Sequence, residues 1–201
     1  MTRKENTTMT DVTLESPLVG IAALSKRELH ADGRSCVLDE IALLDMLNLR
    51  GDAGDSAFVQ GIEQATGLRL PITANSASIV SDRQLLWLGP DEWLLKVPNG
   101  QGNDIEARLR AHLSGRHISI VQVGSGNTTF SLQGPAAADL LSRGCPLDLH
   151  ARAFPDGALA QSHVAKANAT LYCVKAGLHY EITVRRSFAD YLWRWLCEAG
   201  S

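Results

Sequence analysis

Paired cysteines are missing from this sequence. Its four cysteines, Cys36, Cys145, Cys173 and Cys197, include no C-x-x-C pair, which excludes a zinc knuckle and a redox motif and predicts separate reduced thiols. A surplus of charge is missing as well. The formal net charge is −3, with no basic footprint for nucleic acid and no like-charge block that reads as a tail. Residues 1–15 are polar and lack the apolar h-region of a signal peptide. No apolar stretch approaches the ~20 residues of a membrane helix. These absences predict a soluble cytoplasmic protein.

Catalytic signatures are equally scarce. No G-x-x-x-x-G-K-[ST] occurs, so a Walker phosphate loop is excluded. Gly124-Ser125-Gly126 lacks the third glycine and the following helix of a dinucleotide fingerprint. Its place between two strands predicts a hairpin turn. Ser125 lies outside a G-x-S-x-G elbow and has no evident base. The six histidines, His30, His112, His117, His150, His163 and His179, form no H-x-x-x-H or H-E-x-x-H pair. Cys145 and His150 are near in sequence, but without an orienting third group they read as a loop thiol and a solvated imidazole. Asp91-Glu92 has the residue types of a general acid/base pair, while its position predicts a solvated turn. Arg185-Arg186 either grips a partner's carboxylate bidentately or is a solvated surface pair.

What is present is a globular chain. Hydrophobic residues make up 45% of the 201 residues, an ordinary share. A chain of this length buries about 70% of its unfolded surface, so neither disulfides nor a metal is required for folding. Residues 1–15 read as a disordered arm, and Ser16-Pro17-Leu18 marks entry into structure. Strands are predicted around Ser35–Leu38 and Ile41–Leu49. A helix begins near Asp55, with Phe58, Ile62 and Ala65 on one stripe and Gly67 as its stop. A strand near Ala77–Val80 precedes a hairpin, in which Leu85–Leu88 and Trp93–Val97 flank a Gly-Pro-Asp turn. A helix over Asp104–Leu113 follows.

The second half repeats this grammar. His117–Val123 is a strand, and Thr128, Phe130 and Leu132 mark its return. Gly134-Pro135 opens a helix that buries Ala137, Leu140 and Leu141. Strands follow near Ala160–Lys166 and Ala169–Val174, and then around Tyr180, Ile182 and Val184. The last helix begins at Ser187, with Asp190 completing a capping box and Phe188, Leu192 and Trp195 as its buried stripe. At 100° per residue, Trp193 lies ~140° from Phe188. It therefore marks an interface, unless the helix is buried on both sides. The whole predicts an α+β fold of two ferredoxin-like split β-α-β units, with halves at about 16–115 and 116–201.

Several segments, in order, resemble one family. They are L-W-L-G-P-D-E-W-L-L (86–95), F-S-L-Q-G-P-A-A (130–137), L-L-S-R-G-C-P-L-D-L-H (140–150), F-P-D-G (154–157) and V-R-R-S-F-A-D-Y-L (184–192). From about residue 16 onward the chain resembles the gamma subunit of heterotetrameric sarcosine oxidase. That family is related to the folate-binding aminomethyltransferases, of the glycine-cleavage T-protein type. The resemblance implies an oxidoreductase complex acting on CH–NH with oxygen as acceptor. It demethylates sarcosine to glycine, with hydrogen peroxide and a one-carbon unit as formaldehyde or 5,10-methylenetetrahydrofolate. It implies FAD, FMN, NAD, tetrahydrofolate and zinc on the other subunits, with no cofactor, metal or catalytic residue on this chain. Its expected partners are the alpha, beta and delta subunits, alpha most directly, and Trp193, Arg185 and Arg186 are the candidate contacts.

Two departures from the wider fold are visible. The chain is too short for the third domain of an aminomethyltransferase. Where the wider family tends to carry Asp-x-Ser, it has Gln122-Val123-Gly124, which argues against a folate site of its own. The rival readings are a stand-alone aminomethyltransferase-like enzyme and a folate-sensing accessory protein of iron–sulfur assembly. The latter relies on K-G-C-Y-x-G-Q-E, a motif missing here.

Overall fold

A computed structural model describes residues 15–19 and 26–201. The arm predicted over residues 1–15 lies, except for Glu15, outside the described residues. Among the described residues, eleven strands and four α-helices run in the order β1 (Arg27–Ala31), β2 (Arg34–Ile41), β3 (Asp45–Arg50), α1 (Ser56–Thr66), β4 (Ala77–Val80), β5 (Arg83–Gly89), β6 (Glu92–Val97), α2 (Gly102–His112), β7 (Ser119–Gln122), β8 (Asn127–Gln133), α3 (Ala137–Ser142), β9 (Leu159–Val164), β10 (Ala167–Lys175), β11 (His179–Arg185) and α4 (Ala189–Ala199).

The strands form two antiparallel sheets. One has the order β1-β2-β8-β11-β10-β9 and the other β4-β5-β6-β3-β7. Period-two alternation assigns each strand two faces. Leu47 and Leu49 of β3, and Trp93 and Leu95 of β6, pack with Phe58 and Ile62 of α1 and Ile105 and Leu109 of α2. Phe130 and Leu132 of β8 and Ile182 of β11 pack with Leu140 of α3 and Leu192 of α4. The opposite faces meet each other, because Met46, Leu86 and Leu94 from one sheet cluster with Leu159 and Tyr172 from the other. The result is four layers, helices–sheet–sheet–helices, with the two sheets face to face in the middle.

The sheets do not divide at residue 115. Strands β1 and β2 join the sheet of the later strands, where Leu38 pairs with Leu132, and β7 joins the earlier sheet, where Ile120 pairs with Leu49. The Gly124–Gly126 segment is therefore not a hairpin turn. It is one 3₁₀ turn that carries the chain from β7 in one sheet to β8 in the other.

Local signals set the helix ends. The Asp55 carboxylate accepts from the Ala57 N–H at 2.9 Å, and Gly67 closes α1 at φ 75°, its N–H donating to Glu63 O. Helix α4 starts otherwise than predicted. The chain leaves β11 through a 3₁₀ turn over Arg186–Phe188, and α4 begins at Ala189 with no side-chain cap. Asp190 instead accepts from Arg194 Nε at 2.6 Å, so the Ser187/Asp190 capping box does not form. The later start resets the stripe to Ala189, Leu192, Trp193 and Leu196, all buried, at the i, i+3, i+4, i+7 spacing of one face. Trp193 is 3% exposed and meets Phe130 edge-on at 5.7 Å. Its predicted outward direction is corrected, because Phe188 belongs to the turn and cannot fix the phase of the helix.

Candidate functional site: a cleft between the sheets

Where the two sheets part at one end, a cleft of about 740 Å³ opens. Asn48, Arg50, Glu92, Leu94, Ser119 and Val121 line one wall, and Gln161, His163, Thr170, Thr183 and Arg185 line the other. These positions follow from strand alternation: residues two apart in β3, β6, β7 and β11 fall on the inter-sheet face.

One step further along those faces, the cleft gives way to a buried ion pair. Lys96 of β6 and Glu181 of β11 are 1% and 7% exposed, with Nζ 3.3 Å from Oε2. Gln84 Nε2 donates to the other Glu181 oxygen at 2.9 Å, while its own Oε1 is buried without a partner among the described residues. Burial draws the Lys96 ammonium below its ordinary pKa, and the Glu181 charge opposes that shift. Beside this pair the Thr129 and Thr183 hydroxyls share a buried 3.0 Å hydrogen bond. His179 Nε2 lies 2.9 Å from the Ser131 hydroxyl, and burial lowers its imidazole pKa, with Glu181 pulling the other way.

At the mouth, Glu92 accepts from Asn48 Nδ2 and Arg50 Nη2, each at 2.7 Å. Glu92 is therefore engaged across the β3–β6 ladder, and its neighbour Asp91 is the exposed half of the pair. Cys145 is buried in the helix-side core, whereas His150 is exposed and its Nδ1 accepts from the Arg152 N–H at 3.2 Å. Burial pushes the Cys36 and Cys173 thiols up to about 11.

The sequence-predicted contact residues separate. Arg185 and Arg186 stay together, exposed at the end of β11, while Trp193 lies under α4 against the sheet. The Gln122–Gly124 segment has a physical reason for its residue types. Gln122 Nε2 donates to Asn103 Oδ1 at 2.8 Å and to Glu106 Oε2 at 2.7 Å, turning its amide onto α2. A Cβ on Gly124 would sit 2.9 Å from Leu44 O, so a serine there needs the backbone leading into β3 to move. Lys96, Glu181 and the Phe188–Tyr191 aromatic pair were not singled out from the sequence. The apolar run around Lys96 signals a strand buried on both faces, in which a lysine needs a counter-charge.

The comparisons with known proteins agree with this architecture. The family described as "Sarcosine oxidase, gamma subunit family" matches residues 50–201. The chain belongs to the sarcosine oxidase gamma subunit family. It is 32% identical over 200 residues to the sarcosine oxidase subunit gamma of Corynebacterium sp. (strain U-96), covering 98% of this chain and 95% of that one. It is 31% identical over 166 residues to the subunit gamma of an Arthrobacter species, covering 81% and 79%. The gamma-family chain also superposes on the solved heterotetrameric sarcosine oxidase from Corynebacterium sp. U-96, in complex with pyrrole 2-carboxylate. That match has a TM-score of 0.83 at 29% identity and covers 92% of this chain and 93% of the matched one. Glycine cleavage system aminomethyltransferase T from Bartonella henselae shares the fold, with a TM-score of 0.57 at 16% identity, over 79% of this chain and 44% of the other.

Proposed function

We propose that this chain is the structural, non-catalytic gamma subunit of a cytoplasmic heterotetrameric sarcosine oxidase, packed most directly against the alpha subunit and assembled with beta and delta. The complex oxidises the N-methyl group of sarcosine and releases glycine, hydrogen peroxide and a one-carbon unit, as formaldehyde or as 5,10-methylenetetrahydrofolate. FAD, FMN, NAD, tetrahydrofolate and zinc belong to the other subunits.

The observation that carries the non-catalytic reading is the use made of the cleft's charges. Glu92 holds Asn48 and Arg50, and Glu181 holds Lys96 and Gln84. Both carboxylates already accept hydrogen bonds that tie strands together. The Gln122–Gly124 segment fits folate poorly, because its amide is turned onto α2 and its glycine abuts a backbone carbonyl.

The test is the purified chain alone. It is expected to contain no stoichiometric flavin, NAD or zinc, and to give no saturable isotherm with tetrahydrofolate at micromolar concentrations. A clear isotherm would instead favour a folate-binding or stand-alone aminomethyltransferase-like protein.

A further inference from the structure

Beside the first turn of α4 lies a second concavity, a groove of about 620 Å³. Arg185, Arg186, Ser125 and Gly126 form one side of it, and Pro17 and Val19 form the other. It arises from the topology, since the crossover turn after β7 and the turn after β11 come together at the same end of the molecule. The far wall is fixed by Ser16, whose hydroxyl donates to Glu40, and by Leu18, which is fully buried.

Two independent features mark the groove as a contact surface. The first is charge. Arg34, Arg50, Arg116 and Arg194 each have a carboxylate partner, and Arg27, Arg83, Arg108 and Arg152, which are in no salt bridge among the described residues, stand singly along the chain. Arg185 and Arg186 are exposed side by side, and neither is in a salt bridge among the described residues. Glu15 also borders the groove, yet no ion pair joins it to either guanidinium. On a chain of net charge −3, two adjacent guanidiniums that meet no carboxylate among the described residues suit an external anion. The second feature is apolar. Phe188 and Tyr191, directly after the arginines, are 40% and 36% exposed and form an edge-to-face pair at 6.5 Å. The Lys166 N–H donates to the Tyr191 hydroxyl at 3.3 Å, which orients the ring. Val19 across the groove is 59% exposed.

We propose that this groove docks a carboxylate-bearing segment of another subunit of the complex, its Asp or Glu side chains held by Arg185 and Arg186 and its apolar flank covered by Phe188, Tyr191 and Val19. The guanidinium fork matches a carboxylate bidentately. Aromatic and arginine side chains dominate interface energetics. A protein segment fits better than a free small acid, because the exposed aromatic pair continues the apolar surface beyond the groove itself. This assignment rests on the gamma-subunit reading and names the surface that reading requires.

The test uses the co-expressed complex. Arg185→Ala/Arg186→Ala and Phe188→Ala/Tyr191→Ala are compared with Ile72→Ala, a control at a residue 68% exposed and away from the groove. Both double variants are expected to keep the circular dichroism and melting temperature of the unchanged chain. Their affinity for the other subunits is expected to fall at least about thirtyfold, and Ile72→Ala binds normally. Raising salt should weaken the unchanged chain's association more than that of the arginine variant. Unchanged affinity of the double variants overturns the assignment. Tight binding of free glutarate to the lone chain, with normal assembly of the variants, overturns it in favour of a small-acid site. If the unchanged chain itself fails to associate, the subunit reading fails, and this assignment falls with it.

Discussion

Trp193 and Trp195 lie two residues apart on α4 and meet different surroundings. Trp193 is enclosed between α4 and Phe130. Trp195 is half-buried, with its ring over Gly144, where an added Cβ would come within 2.5 Å of Cη2. Trp193→Ala empties a core site, and the expected loss in urea denaturation is about 3–5 kcal/mol. Trp195→Ala removes a partly exposed ring and is expected to lose less. The reverse order would place the wrong face of α4 against the sheet. At the same scale, Lys96 and Glu181 carry charge into the space between the sheets. Losing one partner strands the other, so Lys96→Met or Glu181→Leu is expected to cost about 3–5 kcal/mol. The Lys96→Met/Glu181→Leu double variant should recover much of that loss, because an apolar pair has no charge to desolvate. A double variant as unstable as the sum of the two singles would contradict this account of the pair.

Among the elements, those with local punctuation were legible in the sequence. Helix α1 carries its own start at Asp55, its stripe at Phe58, Ile62 and Ala65, and its stop at Gly67, so its limits were read correctly. The β5–β6 hairpin was legible for the same reason. Strand β1 was missed, because only Leu29 and Ala31 of its five residues are buried and an edge strand shows little periodicity. The register of α4 was misread because a short turn after β11 looks like helix in sequence. The Asp55 cap also predicts a pH effect. The Ala57 N–H bond lowers the Asp55 pKa, aided by Arg116 against the cost of burial. A folded pKa below the unfolded value means stability that is complete above about pH 4 and lost as the pH falls through the lowered value. The melting temperature of Asp55→Ala should lie below that of the unchanged chain at neutral pH, with the gap closing in acid. A gap that persists undiminished well below pH 3 would contradict a charge-dependent cap.

On the scale of the whole molecule, the α+β class and the family could be read from ordered segments, but the sharing of strands between sheets could not. Pairings such as Leu38 with Leu132 join residues distant in the chain, and no local pattern encodes which sheet a strand enters. The Gly124–Gly126 segment illustrates this. Its residues suit a tight turn in either setting, and only the partners of β7 and β8 distinguish a hairpin from a crossover. The candidate contact surface was half legible. The arginine pair stands out in sequence, whereas the aromatic pair beside it depended on where α4 begins. The same interleaving brings the two turns together into the groove and leaves the buried Lys96–Glu181 pair to hold the sheets in register. As proposed above, this chain serves assembly rather than turnover. The most direct measurement is size-exclusion chromatography with light scattering on the complex, with and without this chain, alongside sarcosine-dependent peroxide formation. The predicted result is a stoichiometric copy of this chain co-eluting with the other subunits, while the chain alone produces no peroxide. A chain that elutes separately, from subunits that assemble and turn over fully without it, would contradict the account.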